Sequence, residues 1–380
     1  MTDIEQPTLA PLDRIPAEIH CAEDYATLAR RFIAAPAYAY IAGGSGRDAT
    51  LAANRAAFAE WAVVPRLLCD VSAGHTRLAL AGQALAHPIL LAPVAFQRLA
   101  HSHGEIDAAR AAAATDSALV CSTLSSYTLE EIAVAAGPQR WFQLYFQPGR
   151  DATLDLLRRA EAAGYGAIVV TLDAAIQMPS LSAQRAGFHL PPELVPANLR
   201  AYPPPAPVST PPGASRILQG WMRGAPSWDD LDWLVAQTAL PVWVKGVLHP
   251  QDALALRARG IAGVVVSNHG GRALDGAIAS LRALPAIRAA VGDAYPLLLD
   301  GGIRAGLDVF KALALGADAV LVGRLPVYAL SVAGALGVAH LLKLLREELE
   351  ATMALAGCAT LADIRRATLA RTATPGEEPC

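Results

Sequence analysis

The stretch YPLLLDGGIRAGLDVFKALALGADAVLVGR, residues 295–324, decides the fold. It opens on a leucine run of the length and apolarity of a strand buried on both faces. It breaks at Asp300, Gly301 and Gly302, continues with helical periodicity, and closes on a second apolar run that ends in Gly323 and Arg324. A strand, a helix and a second strand this close together form a βαβ unit, in which the two strands lie parallel. Each strand ends in a glycine-bearing turn that leads towards a helix N-terminus. Such turns expose backbone N–H groups, and Arg304 and Arg324 beside them add guanidinium donors, so a phosphate-bearing cofactor or substrate is implied.

Working outward, the same alternation extends back to Ile89. The earlier strand candidates are PILLAP near Ile89, SALVCS near Leu119, RWFQLYF near Phe142, AIVVTLD near Val169, LPVWVKG near Val242 and GVVVSNHG near Val265. With the two in the opening stretch they make eight, which predicts a closed (β/α)8 TIM barrel instead of an open doubly wound sheet. The whole chain, 1–380, reads as one such domain. Residues 1–88 form an N-terminal helical cap and floor, with helices expected over 22–35 and 49–58 and a hairpin at RLALAGQAL. The barrel occupies 89–370, and a long helix runs from after Leu321 to about Ala356. Residues 371–380, ending TPGEEPC, are expected to be a flexible tail. Residues 174–228 interrupt the pattern with LPPELVP and AYPPPAPVSTPPGA. This long proline-rich insertion after strand 4 predicts a mobile lid, with Trp221, Trp228 and Trp233 anchoring its end to the barrel.

The formal net charge of −3, with scattered Lys and Arg, gives no basic stripe for nucleic acid or anionic membrane. A small neutral or anionic metabolite is the expected partner. The five cysteines are far apart and outside any CxxC pair. They suit a reducing cytoplasm and neither a disulfide framework nor a zinc site. The opening MTDIEQPTLAPLDRIP lacks the pattern of a signal peptide, and no unbroken apolar run reaches spanning length, so export and membrane association are not expected. His101 and His103 in AHSHGE have the spacing of a poor metal site and no cysteine beside them, and no metal is assigned.

In a barrel of this type catalytic groups sit where strands end. Strand 3 ends in Gln143 and Tyr145, strand 4 in Thr171 and Asp173, strand 5 in Lys245, strand 6 in Ser267, Asn268 and His269, strand 7 in Asp300, strand 8 in Gly323 and Arg324. Lys245 reads either as a solvated lysine or as a cation beside an electron-rich cofactor. His269 reads as a loop histidine or as the chain's best general base, since its ordinary pKa is near 6.5. Gly270 and Gly271 allow a tight turn that brings Arg272 to the same pocket. Asp173 is either a helix cap or a carboxylate that stabilises the imidazolium of His269.

Together YAYIAGG, ANRAAF, APVAFQRLAHSHGE, FQLYF, TLDA, VKG, SNHGGRALD, DGGIRAGLDVFKALALGADAV and VGR resemble the FMN-dependent 2-hydroxy-acid oxidase and dehydrogenase family, over nearly the whole chain. That resemblance implies FMN as cofactor and oxidation of a 2-hydroxy acid to the 2-keto acid. It implies His269 as base, Asp173 as its partner, Tyr145 as donor to the substrate oxygen and Lys245 against reduced flavin. Tyr40 and Arg272 would bind the substrate carboxylate, with Leu124 in the pocket wall. Val94, Ala95, Ser122, Gln143, Thr171, Lys245 and Ser267 would contact the ring and ribityl chain. Asp300, Gly302, Arg304, Gly323 and Arg324 would hold ribityl and phosphate. A homo-oligomer, a tetramer in many relatives, is also implied.

Three departures stand out. The family usually carries arginines after strand 4 where this chain has Pro179 and Ser180, an aromatic residue where it has Leu124, and a proline after the GRQLD motif where GRALD is followed by Gly276. Loss of a charged carboxylate contact costs about 1.5–3 kcal/mol, which predicts an atypical or bulkier substrate. An amine- or peptide-tailoring oxidase and an FMN-dependent isomerase are the alternatives.

Overall fold

The architecture follows from the period of its strands. The computed structural model describes residues 8–204 and 207–372. Eight parallel strands close on one another: β1 (Ile89–Leu91), β2 (Leu119–Ser122), β3 (Arg140–Leu144), β4 (Ile168–Thr171), β5 (Val242–Val247), β6 (Gly263–Val266), β7 (Leu297–Asp300) and β8 (Ala319–Val322), with β8 pairing back to β1. All eight coincide with the expected runs. The helices that follow them are α1 (Gly104–Ala114), α2 (Leu129–Ala135), α3 (Arg150–Ala162), α4 (Trp228–Ala236), α5 (Pro250–Ala258), α6 (Ser280–Val291), α7 (Gly306–Ala314) and α8 (Arg324–Ala356).

Because side chains alternate along a strand, one residue from each strand points to the barrel axis at each level. Leu90, Val120, Trp141, Val169, Trp243, Val265, Leu298 and Leu321 make one apolar interior cluster, joined from below by Leu80 and Leu85. Those two belong to the expected hairpin, Leu78–Leu80 with Gln83–Leu85, which plugs the floor while Gln83 accepts a hydrogen bond from the Trp141 indole at 2.8 Å. Trp141 and Trp243 lie against each other with ring centroids 5.2 Å apart. Gly263 opens β6 because a side chain there would collide with the Trp243 ring. Trp243→Ala is therefore expected to cost about 3–5 kcal/mol, since the rigid cylinder cannot collapse into the void. The midpoint of chemical denaturation measures it.

The cap differs from expectation in its breaks. Residues 22–35 form a short helix, Asp24–Leu28, a 3-10 turn, Ala29–Arg31, and the start of a second helix, Ala35–Ala42. Ala34 is extended, and Pro36 then sits in the first helical turn, where its fixed φ and missing N–H do no harm. The helix Ala49–Ala59 matches the second expected helix.

The insertion is not uniformly loose. Its first part carries a helix, Leu181–Arg185, capped by the Ser180 hydroxyl, and buries Ala183, Leu194, Ala197 and Asn198. The Asn198 amide donates to the carbonyls of Ser122 and Thr123, at 3.2 and 3.1 Å, and its oxygen accepts from the Leu129 N–H at 2.7 Å. A single docking asparagine has no periodicity, which is why composition alone suggests mobility here. Trp221 does not anchor the lid: it stays 46% exposed under the Arg216 guanidinium. Trp228 and Trp233 belong to α4, whose N-terminus is closed by a capping box of Ser227 and Asp230, so the insertion ends before 228.

α8 is apolar and long enough to cross a bilayer, but 78% of its most apolar window is buried in the fold. After α8 the chain returns to the N-terminal region, where Leu369–Arg371 pairs antiparallel with Trp61–Val63. Arg371 thus belongs to a strand and not to the expected tail; residues 373–380 of that tail lie outside the described residues.

Candidate active site

Two residues beyond the apolar interior layer, on the same inward face, stand Ala92, Ser122, Gln143, Thr171, Lys245, Ser267, Asp300 and Gly323. The period of two that makes the core therefore also makes a polar ring at the strand ends. Above it opens a cleft with about 1130 Å³ of empty space, part of it open to solvent. The cleft brings together Tyr40, Val94, Ala95, Ser122, Leu124, Tyr145, Lys245, His269, Arg272, Asp300, Gly302, Arg304, Gly323 and Arg324, all anticipated from sequence. Asp173, Gln143, Thr171 and Ser267 stand behind that lining.

At its centre His269 Nδ1 lies 2.8 Å from Asp173 Oδ1. Two backbone devices set this contact. Gly246 has φ +108, and a side chain there would strike Asp173. His269 itself has φ +59, held by a hydrogen bond from its N–H to Ser267 Oγ at 2.9 Å. Burial opposes ionisation of Asp173, but Lys245 and His269 outweigh it and keep the carboxyl below its usual value. Burial, then Lys245, push the His269 imidazole down, against the upward pull of Asp173. A neutral imidazole that donates Nδ1–H to an ionised carboxylate presents Nε2 as an acceptor, the form a general base requires.

Lys245 Nζ sits 3.1 Å from Asp300 Oδ2 and 3.0 Å from Ser267 Oγ. Burial lowers the ammonium pKa, and Asp300, Asp173 and Tyr145 more than restore it. The solvated-lysine reading is thereby excluded: Lys245 is 3% exposed. Ser267 stands between these groups. Its hydroxyl donates to Asp300 Oδ2 at 2.7 Å and accepts from Lys245 and from the His269 N–H, which uses its one proton and both lone pairs. It bridges Lys245, Asp300 and His269 within the ring.

The arginines are also partly engaged. Arg324 gives Nε, Nη1 and Nη2 to the carbonyls of Ile41, Gly270 and Gly43 at 3.1, 2.9 and 2.7 Å, leaving two N–H groups. Arg272 gives Nη2 to the carbonyls of Tyr40 and Ile41, which leaves Nε and Nη1. The turn before α7 is less open than its glycines suggest, because Asp308 accepts the N–H groups of Arg304 and Ala305 and Glu348 accepts that of Gly306. Arg304 and Arg324 have no carboxylate within 4 Å among the described residues, and burial lowers both. Paired cations in a desolvated cleft without a counter-charge fit an anionic ligand.

The family model described as FMN-dependent dehydrogenase matches residues 29–371. The chain belongs to this FMN-dependent dehydrogenase family. It is 67% identical to an L-lactate oxidase of Alicycliphilus denitrificans over 95% of this chain and 99% of that one. It is 44% identical to a 4-hydroxymandelate oxidase of Amycolatopsis orientalis over 90% and 96%. A crystal structure of mandelate oxidase with (S)-2-phenylpropionate superposes with a TM-score of 0.85 at 41% identity, covering 94% of this chain and all of the other. The protein is thus an FMN-dependent oxidoreductase on a (β/α)8 barrel.

The residues present fit the FMN of this family. Gln143 Nε2 and Thr171 Oγ1 are buried without a hydrogen-bond partner, as donors and acceptors waiting for a polar ring edge would be. Gln143, Thr171, Ser122 and Lys245 would hold the isoalloxazine; Asp300 would take the ribityl chain, and Arg304, Arg324, Gly302 and Gly323 the phosphate.

Several contributors escape a reading of strand ends. Ile41, Phe96, Gln177, Ile303 and Val327 also line the cleft. Asn54, on the cap helix, exchanges two amide hydrogen bonds with Asn268 at 2.7 and 2.8 Å and so ties the cap to the His269 loop. Asp275 accepts the N–H groups of Arg47 and Thr50 beside it. Gly276, which follows GRALD, has φ +88, a conformation closed to a proline ring. Ser180 faces Ser182 at 2.9 Å and the cap glycine Gly43, not the cleft. From this stretch it is Gln177 that reaches the pocket. His101, His103 and Asp107 do come within reach of one another, yet Arg110 already pairs with Asp107 at 2.9 Å, so no metal is assigned.

Proposed function

We propose that the protein oxidises a small L-2-hydroxy acid of the lactate type to the 2-oxo acid, with molecular oxygen as electron acceptor. The observation that carries this reading is the His269–Asp173 pair facing a cleft that also holds the Arg272 guanidinium and the Tyr145 hydroxyl. Bound FMN supplies the two-electron sink. The chain's residues do the rest: His269 Nε2 takes the substrate proton and Asp173 stabilises the resulting imidazolium. Tyr145, whose pKa burial pushes up to about 12, stays protonated and donates to the substrate oxygen. Arg272 Nε and Nη1 receive the carboxylate, aided by Tyr40. Net removal of two protons and two electrons from a carbinol, one proton passing to His269 Nε2 and the other leaving with the electron pair that bound FMN would accept, is not an isomerisation, and a guanidinium beside the base does not favour an amine substrate.

The identity with an L-lactate oxidase supports the small acid. A bulkier, aromatic 2-hydroxy acid is the second reading, favoured by Leu124 in place of an aromatic wall and by the neutral Gln177 near the missing guanidinium. A reducing cytoplasm suits the free thiols of Cys21, Cys69, Cys121 and Cys358, and a soluble homo-oligomer, a tetramer, completes the proposal.

Anaerobic bleaching of the bound flavin separates the substrate readings. L-Lactate is expected to bleach it at the lowest concentration, with D-lactate and lactamide poor. Faster bleaching by mandelate would establish the aromatic reading, and silence from every 2-hydroxy acid would overturn both.

A further inference from the structure

Tyr40 is held by two partners. The Arg272 guanidinium carbon lies over its ring, 4.9 Å from the centroid, and the Phe188 ring is stacked on it at 4.3 Å with an interplanar angle of 12°. Phe188 comes from the insertion, the other two from the cap and the β6 loop. Arg272 Nη2 also bonds the Tyr40 carbonyl, so the position of the Tyr40 residue and the aim of the guanidinium are coupled through backbone and ring together. Phe188 is not free to drift. Its N–H donates to the Ala183 carbonyl at 3.0 Å, closing the short helix Leu181–Arg185, and Ala183 is itself buried. Further along, Leu194, Ala197 and Asn198 dock the same segment on the barrel rim.

From this geometry we propose that Phe188 is a positioning residue for the substrate carboxylate. By pinning the Tyr40 ring against Arg272, it makes docking of the insertion and assembly of the carboxylate clamp one event. The proposal rests on the assignment of Tyr40 and Arg272 as that clamp. The reason this chain needs the device lies in its own pocket. With Ser180 turned to Gly43 and Gln177 neutral, the guanidinium with free Nε and Nη1 donors beside Tyr40 is that of Arg272, whereas Arg324 has three of its five N–H groups on backbone carbonyls. A lone guanidinium on a long side chain loses affinity if it wanders, and a ring stacked on its partner limits that wandering. Phe188 stacks on Tyr40 and is not among the residues lining the cleft, so it acts on binding and not on the proton transfer.

The test uses the FMN-loaded full-length protein and three variants, Phe188→Ala, Phe188→Leu and Phe188→Tyr. In Phe188→Ala and Phe188→Leu, KM for L-lactate and the dissociation constant of oxalate, read from the flavin absorbance change, are expected to rise roughly three- to tenfold, the worth of a stacked aromatic contact. The value of kcat stays within twofold, FMN content is unchanged, and Phe188→Tyr restores both constants. Bleaching by lactamide, which lacks the carboxylate, is not further weakened. An unchanged KM, a loss of kcat equal to the loss of kcat/KM, or a failure of tyrosine to restore binding overturns the proposal. The leucine variant keeps the apolar packing without the flat face, so the outcome does not depend on the alanine variant folding. If the parent is bleached by no 2-hydroxy acid, the proposed function fails instead, which the parent control shows separately.

Discussion

Replacing His269 with alanine is expected to lower kcat about 10²- to 10⁴-fold, the usual contribution of a positioned general base, while FMN stays bound. The expectation rests on the division of labour between the two ring nitrogens. Nδ1 is committed to Asp173 at 2.8 Å, so the proton acceptor is Nε2, and alanine removes it without touching the Gln143, Thr171 or Arg304 contacts that would hold the cofactor. The pH dependence gives the sign. Burial and the nearby Lys245 push the imidazole below its ordinary 6.5, and Asp173 recovers only part of the shift. The deprotonated, active form therefore persists into mildly acid solution, and the acid limb of kcat/KM should fall below pH 6.5. Asp173→Asn removes a group that raises the His269 pKa, so it moves that limb lower still while slowing turnover, because the imidazolium loses its counter-charge. An acid limb at or above 6.5 in the parent, or turnover surviving in the alanine variant, would remove His269 from the role.

The sequence made the barrel and much of the cleft readable for one reason: both obey a period of two. The apolar interior residues Leu90, Val120, Trp141, Val169, Trp243, Val265, Leu298 and Leu321 set the parity, and stepping forward by two lands on Ser122, Gln143, Thr171, Lys245, Ser267, Asp300 and Gly323. Position alone does not tell what a polar atom is already bonded to. Ser267 sits in the ring yet spends all its hydrogen-bonding capacity on Lys245, Asp300 and His269. The glycine turn before α7 looks open in sequence, but Asp308 and Glu348 occupy its N–H groups from other turns of helix. Contributors outside the strands were illegible for a similar reason. Asn54 pairs with Asn268 and Phe188 with Tyr40 across long sequence separations, and no local periodicity marks either. The docking of the insertion's first part is not marked in its composition, because it depends on Asn198 and a few buried alanines and leucines in an otherwise proline-rich stretch.

Lys245→Met is expected to have two large effects that arise from the same buried charge. The ammonium lies 3.1 Å from Asp300 and is the largest favourable influence on the ionisation of Asp173. Methionine fills a similar volume but leaves two buried carboxylates without their cation, and breaking a buried pair from one side costs about 3–5 kcal/mol. The denaturation midpoint should fall accordingly, and recover in part at lower pH as Asp173, no longer held down by Lys245, takes up a proton. Activity should fall by roughly 10²–10³, the loss typical when one preorganised charge is removed from a water-excluded site. The pH profile then distinguishes this loss from that of the base. Lys245 depresses the His269 pKa, so its removal raises the acid limb of whatever turnover remains, opposite in sign to the shift in Asp173→Asn. Lys245→Arg keeps a positive charge but is bulkier and lacks the compact ammonium that fits between Ser267 and Asp300, so it should recover stability more than turnover. Equal recovery of both would mean that the charge alone matters, and parental stability in Lys245→Met would mean that Asp300 and Asp173 are not held by it.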